Sequence, residues 1–273
     1  MLNDITLGRY IPVDSVVHRL DPRTKLGVAA IVMVALFTRK GFEVFPGPGL
    51  FLIAAVALSG LPVWTILRNL RPFLYLFLFT FCLQSLLTPG ESIEILRVFN
   101  VAPTVEGVQE GTFFLLRLTF LVITASLLSL TTAPIELADG LERLLRPFSR
   151  IGFPAHEMAM MTMIALRFIP TLIDEAERLK KAQLARGASF EGGLLTKAKR
   201  LLPLLVPLFL SAFRKADTLA LAMEVRGYRG GAGRTSFTIL HFRRRDYLTL
   251  ACCLLTVSGI PVFLYSSFEF LGF

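Results

Sequence analysis

Charged residues are scarce in this chain of 273 residues, since they make up 18% of it while apolar residues make up 54%. A soluble domain carries roughly 25% charged residues, and the mean hydropathy of this chain is +0.64. The composition therefore argues against a soluble globular domain and indicates an integral membrane protein.

Cysteine is scarce as well. The three cysteines, Cys82, Cys252 and Cys253, lie inside apolar runs, and none has the Cys-x-x-Cys spacing of a redox or metal site. We expect them to be small core residues, because an unpaired cysteine behaves as a small hydrophobe.

Motifs of catalysis are missing too. The chain has no His-Glu-x-x-His, Gly-x-Ser-x-Gly or Walker motif, and His18, His156 and His241 are far apart in sequence. The glycine-rich segment 228–235 has tyrosine and arginine where a phosphate loop needs glycine and lysine, and no apolar strand precedes it. We therefore expect no catalytic residue, no metal and no cofactor in this chain.

What the chain does have is five long apolar runs, which predict an all-α integral membrane protein with about five transmembrane helices. The runs are 26–38, 50–60, 73–87, 112–130 and 247–265. They divide the chain into a lead (1–25), four transmembrane helices (26–130), a charged segment (131–246), and a last transmembrane helix with a short tail (247–273).

Several features between the runs carry expectations of their own. Asp21-Pro22 predicts a helix start. Lys25, Arg39 and Lys40 are expected to snorkel to the membrane interface, because the first run is short of the ~20 residues that span a bilayer. A Gly/Pro-rich turn is expected at 41–49 and an interfacial connector at 61–72. Arg117 is expected near a membrane end, snorkelling or paired with Glu106 or Glu110; the alternative is a functional charge within the membrane.

Lys and Arg are distributed very unevenly around the runs. Nineteen of them lie in 131–246 and others lie in the lead and at 61–72, whereas the opposite side has only Arg39, Lys40 and Arg97. The positive-inside rule therefore places the N-terminus and the charged segment in the cytoplasm. The basic balance is a sign of topology, and we expect no nucleic-acid partner.

The charged segment contains a short helix at 134–145 and two long amphipathic helices at 155–187 and 194–227. Apolar residues recur every three or four positions in both long helices. Pro170 is expected to bend the first of them. The segment 201–213 is apolar on all sides but too short to span a bilayer, so we expect these apolar surfaces to meet protein partners or the bilayer surface.

Each long helix closes on an arginine followed by a glycine, at Arg186-Gly187 and Arg226-Gly227. Helix capping explains one such ending. Two endings on the same plan favour a second interpretation, in which each planar guanidinium projects towards carboxylates on a partner.

In several motifs the sequence resembles the transmembrane (T) component of energy-coupling factor transporters. The similarity covers nearly the whole chain. The motifs are the lead with Gly8, Tyr10, Ser15, His18 and Leu20–Lys25, then Leu130–Thr132, Asp139–Glu142, Ala165–Pro170, Ala182-Gln183, Ala185–Gly187, Ala220–Glu224 and Arg226–Tyr228.

The resemblance implies that the long helices are coupling helices whose arginines dock in two ABC-type ATPase subunits, which bind the ATP and Mg. The docking residues would be Ala185, Arg186, Gly187, Val225, Arg226 and Gly227. Val225 stands where the family pattern has alanine. The resemblance also implies contact with a small membrane subunit that binds the substrate. The contact residues would be Met158, Met161, Ala165, Phe168, Leu201, Leu205, Leu208 and Ala212.

The expected function is thus a non-catalytic coupling subunit of an ATP-driven importer of vitamins or other micronutrients, in the cell membrane of a prokaryote. Two other classes stay open. A stand-alone secondary transporter would need ionisable groups at membrane depth, which are few here. A membrane-surface adaptor would use its basic residues to bind anionic lipid.

Overall fold

The computed structural model describes residues 10–38, 41–90, 103–145, 147, 154–187, 193–230 and 242–259. Every regular element in this part of the chain is helical, which confirms the all-α prediction. The α-helices are α1 (Pro22–Thr38), α2 (Pro46–Ser59), α3 (Val63–Leu70), α4 (Leu74–Leu87), α5 (Val105–Thr131), α6 (Pro134–Leu145), α7 (Ala155–Ala185), α8 (Leu194–Val225) and α9 (Arg244–Leu254). Short 3-10 helices precede α2 (Phe42–Val44) and α4 (Arg71–Phe73), and a π-helical turn (Leu255–Gly259) follows α9.

Among the described residues, three helical segments are long and apolar enough to cross a membrane: Phe42–Ser59, Val63–Leu87 and Val105–Thr131. They have 18, 25 and 27 residues. The first predicted run lies in α1, which has 17 residues, and the last one continues outside the described residues. The total of five spans therefore stays a prediction.

The segment at 41–49 is not the turn that its composition predicts. The helix α2 already begins at Pro46. Proline is tolerated there because the first N–H groups of a helix need no intrahelical partner. Gly47 is needed for a contact far along the chain, since a Cβ atom at this position would collide with the backbone oxygen of Thr256.

The segment at 61–72, predicted as an interfacial connector, is mostly helical. Pro62 precedes the first turn of α3, and Pro72 lies in the first turn of the 3-10 helix, where its missing N–H costs nothing. The candidate span that contains the third predicted run, 73–87, consequently begins at Val63. Trp64 is 75% exposed on α3, and an exposed tryptophan of this kind can anchor a helix at a membrane interface.

The contact at Gly47 makes a specific stability prediction. Gly47→Ala should lower the free energy of unfolding by about 1–3 kcal/mol, because the added methyl group has no free volume against rigid backbone. Gly49→Ala is the matched control in the same helical turn. Its Cβ atom would only reach ordinary contact with Phe120, so the better helix propensity of alanine should make it neutral or stabilising. Thermal unfolding of the two variants in detergent checks the prediction, and equal behaviour would contradict it.

The residues divide into two compact units, one with residues 10–140 and 242–259 and the other with residues 141–230. The first unit has an apolar core built from α1, the start of α2 and α9. It includes the fully buried side chains of Val32, Leu36 and Cys253. Cys253 is thus a core residue as predicted, whereas Cys82 and Cys252 are exposed.

Arg117 lies near the middle of α5, and its place relative to the membrane stays a prediction. Its guanidinium lies over the ring of Phe113, 4.5 Å from the centroid, and 5.5 Å from that of Phe37. Aromatic faces attract a guanidinium through their quadrupole. These rings supply an environment for the charge that the sequence pattern alone does not predict.

Lys25 is buried inside the first unit, whereas a snorkelling side chain would reach solvent. Its side chain is 7% exposed, and its Nζ donates hydrogen bonds to the backbone oxygens of Thr131 (2.8 Å) and His18 (3.1 Å). Burial lowers the pKa of Lys25 to about 8, against the opposing effect of three nearby carboxylates. They belong to Glu136, Asp21 and Asp246. Lys25 therefore ties the N-terminal lead to the end of α5; Arg39 and Lys40 lie outside the described residues.

The buried carboxylate of Asp246 joins the starts of two helices. It accepts a hydrogen bond from the N–H of Asp21 (2.9 Å), just before α1, and one from the N–H of Arg243 (2.8 Å), just before α9. Asp21 in turn accepts from the N–H of Arg23 (3.0 Å), which confirms the helix start predicted at Asp21-Pro22. The three hydrogen bonds satisfy N–H donors at the helix starts, which have no acceptor inside their helices.

The second unit is formed by the end of α6 and the long helices α7 and α8, which have 31 and 32 residues. The Nδ1 of His156 lies 3.0 Å from Oε1 of Glu142, which links the start of α7 to α6. Both long helices continue through their internal prolines, so Pro170 does not end α7. The bend predicted there stays a prediction.

Candidate functional site

The first candidate site residue, Arg186, is the capping residue that ends α7. Its N–H donates to the backbone oxygens of Ala182 (3.2 Å) and Gln183 (3.1 Å), and the N–H of Gly187 donates to Leu184 (3.0 Å). Gly187 has a φ of +86°, a conformation that glycine adopts without a steric penalty. The chain therefore turns away directly after Arg186.

The end of α8 repeats this geometry. The N–H of Gly227 donates to the oxygen of Glu224 (2.9 Å) and that of Tyr228 donates to Met223 (2.9 Å). These two bonds, with a φ of +74° at Gly227, form a Schellman motif. The capping interpretation of both Arg-Gly endings is confirmed, and it involves only the backbone of each arginine.

The side chains at both endings are exposed to solvent. Ala185, Arg186 and Gly187 are all exposed, as are Arg226 and Gly227. In the part of the chain that the structure describes, neither guanidinium has a hydrogen-bond or ion-pair partner. Capping therefore leaves the five donors of each arginine available for another molecule. Val225 is also available, since 88% of its surface is exposed.

The cap geometry predicts the result of replacing Gly227. Gly227→Ala should cost about 1–2 kcal/mol at the end of α8, because an L side chain is strained at positive φ. The loss should appear as faster amide hydrogen exchange in the last turn of α8. Gly227→Asn should keep most of the protection, since asparagine tolerates this conformation. Equal exchange in the two variants would contradict the prediction.

The long helices contact each other at matched positions. Nζ of Lys215 lies 3.5 Å from Oε2 of Glu175, and both side chains are 30% exposed. Glu175 lies eleven residues before Arg186, and Lys215 lies eleven residues before Arg226. At 1.5 Å per residue, each arginine therefore stands about 16 Å along its own helix from the contact. The ion pair itself adds little stability at this exposure, about 0–1 kcal/mol.

The apolar side chains predicted to contact a membrane subunit are distributed over both helices. On α7, Met158, Met161 and Ala165 are exposed and Phe168 is half-buried. On α8, Leu205 is exposed, while Leu208 and Ala212 are half-buried. The side chain of Leu201 lies outside the described part of the structure.

A second apolar row on α8 is more exposed than the predicted one. It consists of Leu202, Val206, Phe209 and Phe213, which are 58–66% exposed. Their spacing of three and four residues places them on one face. Periodicity alone could not find this row, because the segment 201–213 is apolar all round and only the packing of α8 tells its faces apart.

Metal ligands do not converge anywhere in the described ranges, where no group of three His, Cys, Asp or Glu residues has suitable geometry. His18 is bound within the lead, with Nε2 3.1 Å from the oxygen of Ile11 and Nδ1 2.7 Å from Oγ of Ser15. Burial lowers the pKa of His18. His241 lies outside the described residues.

Comparison with known proteins gives one consistent result. Residues 14–237 match the family model described as "CbiQ: Cobalt transport protein". The chain is 48% identical over 261 residues to the energy-coupling factor transporter transmembrane protein EcfT of Thermosediminibacter oceani, covering 95% of this chain and 98% of the relative. It is 49% identical to that of Heliobacterium modesticaldum (95% and 96% covered) and 42% identical to that of Bacillus subtilis (90% and 93% covered).

Proposed function

Because the chain belongs to the family of transmembrane components of energy-coupling factor transporters, we propose that it is the subunit that couples ATP hydrolysis to uptake. Two ABC-type ATPase subunits would dock on Arg186 and Arg226. Their movement would pass through α7 and α8 to a small membrane subunit that binds a vitamin or another micronutrient. ATP and Mg would be bound by the ATPases, and this chain would hold no cofactor.

The observation that carries this proposal is the matched pair Arg186 and Arg226, whose side chains have no partner among the described residues. Each guanidinium is exposed at a rigid helix end, and each stands at the same number of residues from the contact between Glu175 and Lys215. A force applied at one end of such a helix is transmitted along it, since helices are stiff over this length. Two ends on one plan suit two similar docking grooves.

The apolar row of α8 supports the second half of the proposal. Exposed large side chains such as Phe209 and Phe213 form a surface that a partner or the bilayer must cover. The predicted contacts on α7 add Met158 and Met161, whose flexible side chains suit an interface with several partners. We infer that the substrate-binding subunit lies against these faces.

We further propose a multi-pass arrangement with the N-terminus in the cytoplasm. It rests on the distribution of Lys and Arg, which are concentrated in the lead and in 131–246. The ATPases act in the cytoplasm, so this orientation would place both arginines on the side where docking takes place.

Purification of the full-length chain from its native host in mild detergent tests the proposal. We expect two copies of ABC-type ATPase, or two different ATPases, together with a small membrane protein. Reconstituted complex should take up substrate only with ATP. Uptake by the purified chain alone, without ATP, would replace the proposal with a stand-alone secondary transporter.

A further inference from the structure

A large apolar cavity lies inside the first unit, between α1, α2, α5 and α9. Its volume is about 510 Å³, within the roughly 300–1,000 Å³ of typical ligand sites. Its floor is buried, with Val32 at 0% and Leu127 at 8% exposure. Its rim is exposed, and includes Leu50 and Leu58 of α2 and Leu248 of α9.

The walls of the cavity approach each other towards one end. One wall is the α2 row of Leu50, Ala54 and Leu58, and another is the row of Leu248, Cys252 and Thr256. The two chain segments meet where Gly47 touches Thr256. Between this contact and Leu58, α2 advances by eleven residues, or about 16 Å. The cavity wall on α2 runs from Leu50 to Leu58, about 12 Å, and an extended hydrocarbon chain fits this length.

Polar groups occur at the opposite end of the cavity, and one of them has an unused donor. Five threonines line the cavity, and four donate to the backbone oxygen four residues earlier. Thr24 differs because it lies in the first turn of α1. Its side chain is 1% exposed, and its hydroxyl has no partner among the described residues. An unsatisfied buried hydroxyl is costly, so an acceptor that reaches this end of the cavity would gain a hydrogen bond from Thr24.

Lys25 also lines this end and has one further donor. Its ammonium carries three hydrogens, and two are donated to the oxygens of His18 and Thr131. The ligand group must therefore be an acceptor. Three carboxylates already surround the ammonium, so an additional anion is disfavoured and a neutral carbonyl is favoured.

We propose that this cavity binds one acyl chain of a bilayer phospholipid, whose ester carbonyl accepts hydrogen bonds from Thr24 and Lys25. The hydrocarbon runs from Lys25 towards Gly47 and Thr256. Two of the bounding helices, α2 and α5, lie in segments able to span a membrane, so lipid chains are the medium at the exposed rim. An ester carbonyl at the start of α1 lies at the depth of the membrane interface.

The test uses the chain in lipid nanodiscs that contain a trace of phosphatidylcholine with a photoreactive diazirine near the middle of one acyl chain, the part that would lie between Lys25 and Thr256. After illumination and digestion, we expect label on the floor residues Val32 and Leu127. Ala54→Phe places a ring in the cavity and should reduce this label about tenfold or more, because the ring occupies volume that the acyl chain needs. Ala57→Phe, on the same helix but outside the cavity, should leave the label unchanged.

The polar end is tested by a second variant and a second probe. Thr24→Val keeps the shape and should lower floor labelling about fivefold, the effect of one lost hydrogen bond. A diazirine fatty acid, which carries a carboxylate, should label the floor less than the phospholipid. Size-exclusion profiles identify any variant that fails to fold. The comparison of floor labelling in the wild-type chain by the phospholipid and by the fatty acid then tests the preference for a neutral carbonyl without a mutation.

Three results would overturn the proposal. They are no floor label in wild type, equal floor label in Ala54→Phe and Ala57→Phe, or loss of floor label in the complex with its membrane subunit. The last result would mean that a polypeptide, rather than a lipid, covers the cavity.

Discussion

The double variant Arg186→Glu plus Arg226→Glu is expected to lose its ATPase subunits during purification. Removing one partner of a desolvated, hydrogen-bonded charge pair commonly costs about 2–5 kcal/mol, and reversal adds repulsion from the carboxylates that the arginines would contact. Two sites changed together should reduce association far below detection in a pull-down. Each single variant should weaken association and leave one site intact.

The fold should survive these changes, because the caps of α7 and α8 use backbone atoms of the arginines and not their side chains. A glutamate near a helix C-terminus costs only about 0.3–1 kcal/mol through the macrodipole. Arg186→Gln plus Arg226→Gln removes the charge without reversing it and should also reduce binding.

Arg178→Glu is the matched control, since Arg178 is an exposed arginine of α7 that lies eight residues before Arg186. It changes the net charge by the same amount as either single variant and should leave ATPase association intact. Undiminished association in the double reversal would remove the docking role from both endings. Loss of association in Arg178→Glu would show that overall charge, not position, determines binding.

The sequence was most informative where a local signal determines structure. Helix α6 has the predicted bounds, and α7 and α8 end within two residues of the predicted positions. A proline in the first turn or a glycine at positive φ determines where a helix begins or ends through residues within four or five positions. Such helix ends can therefore be predicted from a short stretch of sequence. The same holds for Asp21, whose carboxylate caps α1 two residues on.

Long-range packing is what the sequence could not display. Gly and Pro at 46–49 predict a turn when only the local sequence is considered. The contact that requires Gly47 is with Thr256, more than two hundred positions away, and no local pattern indicates it. The sequence around Lys25 likewise gives no sign of its hydrogen bond to the backbone oxygen of Thr131, 106 residues away. For this reason local reasoning predicts a snorkelling side chain. The exposed row of α8 was missed for a related reason, since its faces differ only in what packs against them.

Replacing Asp246 is expected to have the largest effect on stability in this chain. Its carboxylate is 2% exposed and is the acceptor for the N–H groups of Asp21 and Arg243. In Asp246→Ala both groups lose their acceptor in a buried place, at about 1–3 kcal/mol each. The buried ammonium of Lys25 also loses a neighbouring negative charge. A loss of roughly 2–6 kcal/mol is a large part of the 5–15 kcal/mol that stabilises a typical protein.

Asp14→Ala is the control for this prediction. Asp14 accepts from Arg19 at 2.8 Å, but the two side chains are 78% and 57% exposed. An exposed pair of this kind contributes little to stability because solvent screens it, so thermal unfolding in detergent should change little. Asp246→Asn should lie between the two, because one amide oxygen still accepts while the amide NH₂ faces a second donor. Asp246→Ala with the melting temperature of Asp14→Ala would contradict the assignment, since the starts of α1 and α9 would then hold together without their shared carboxylate.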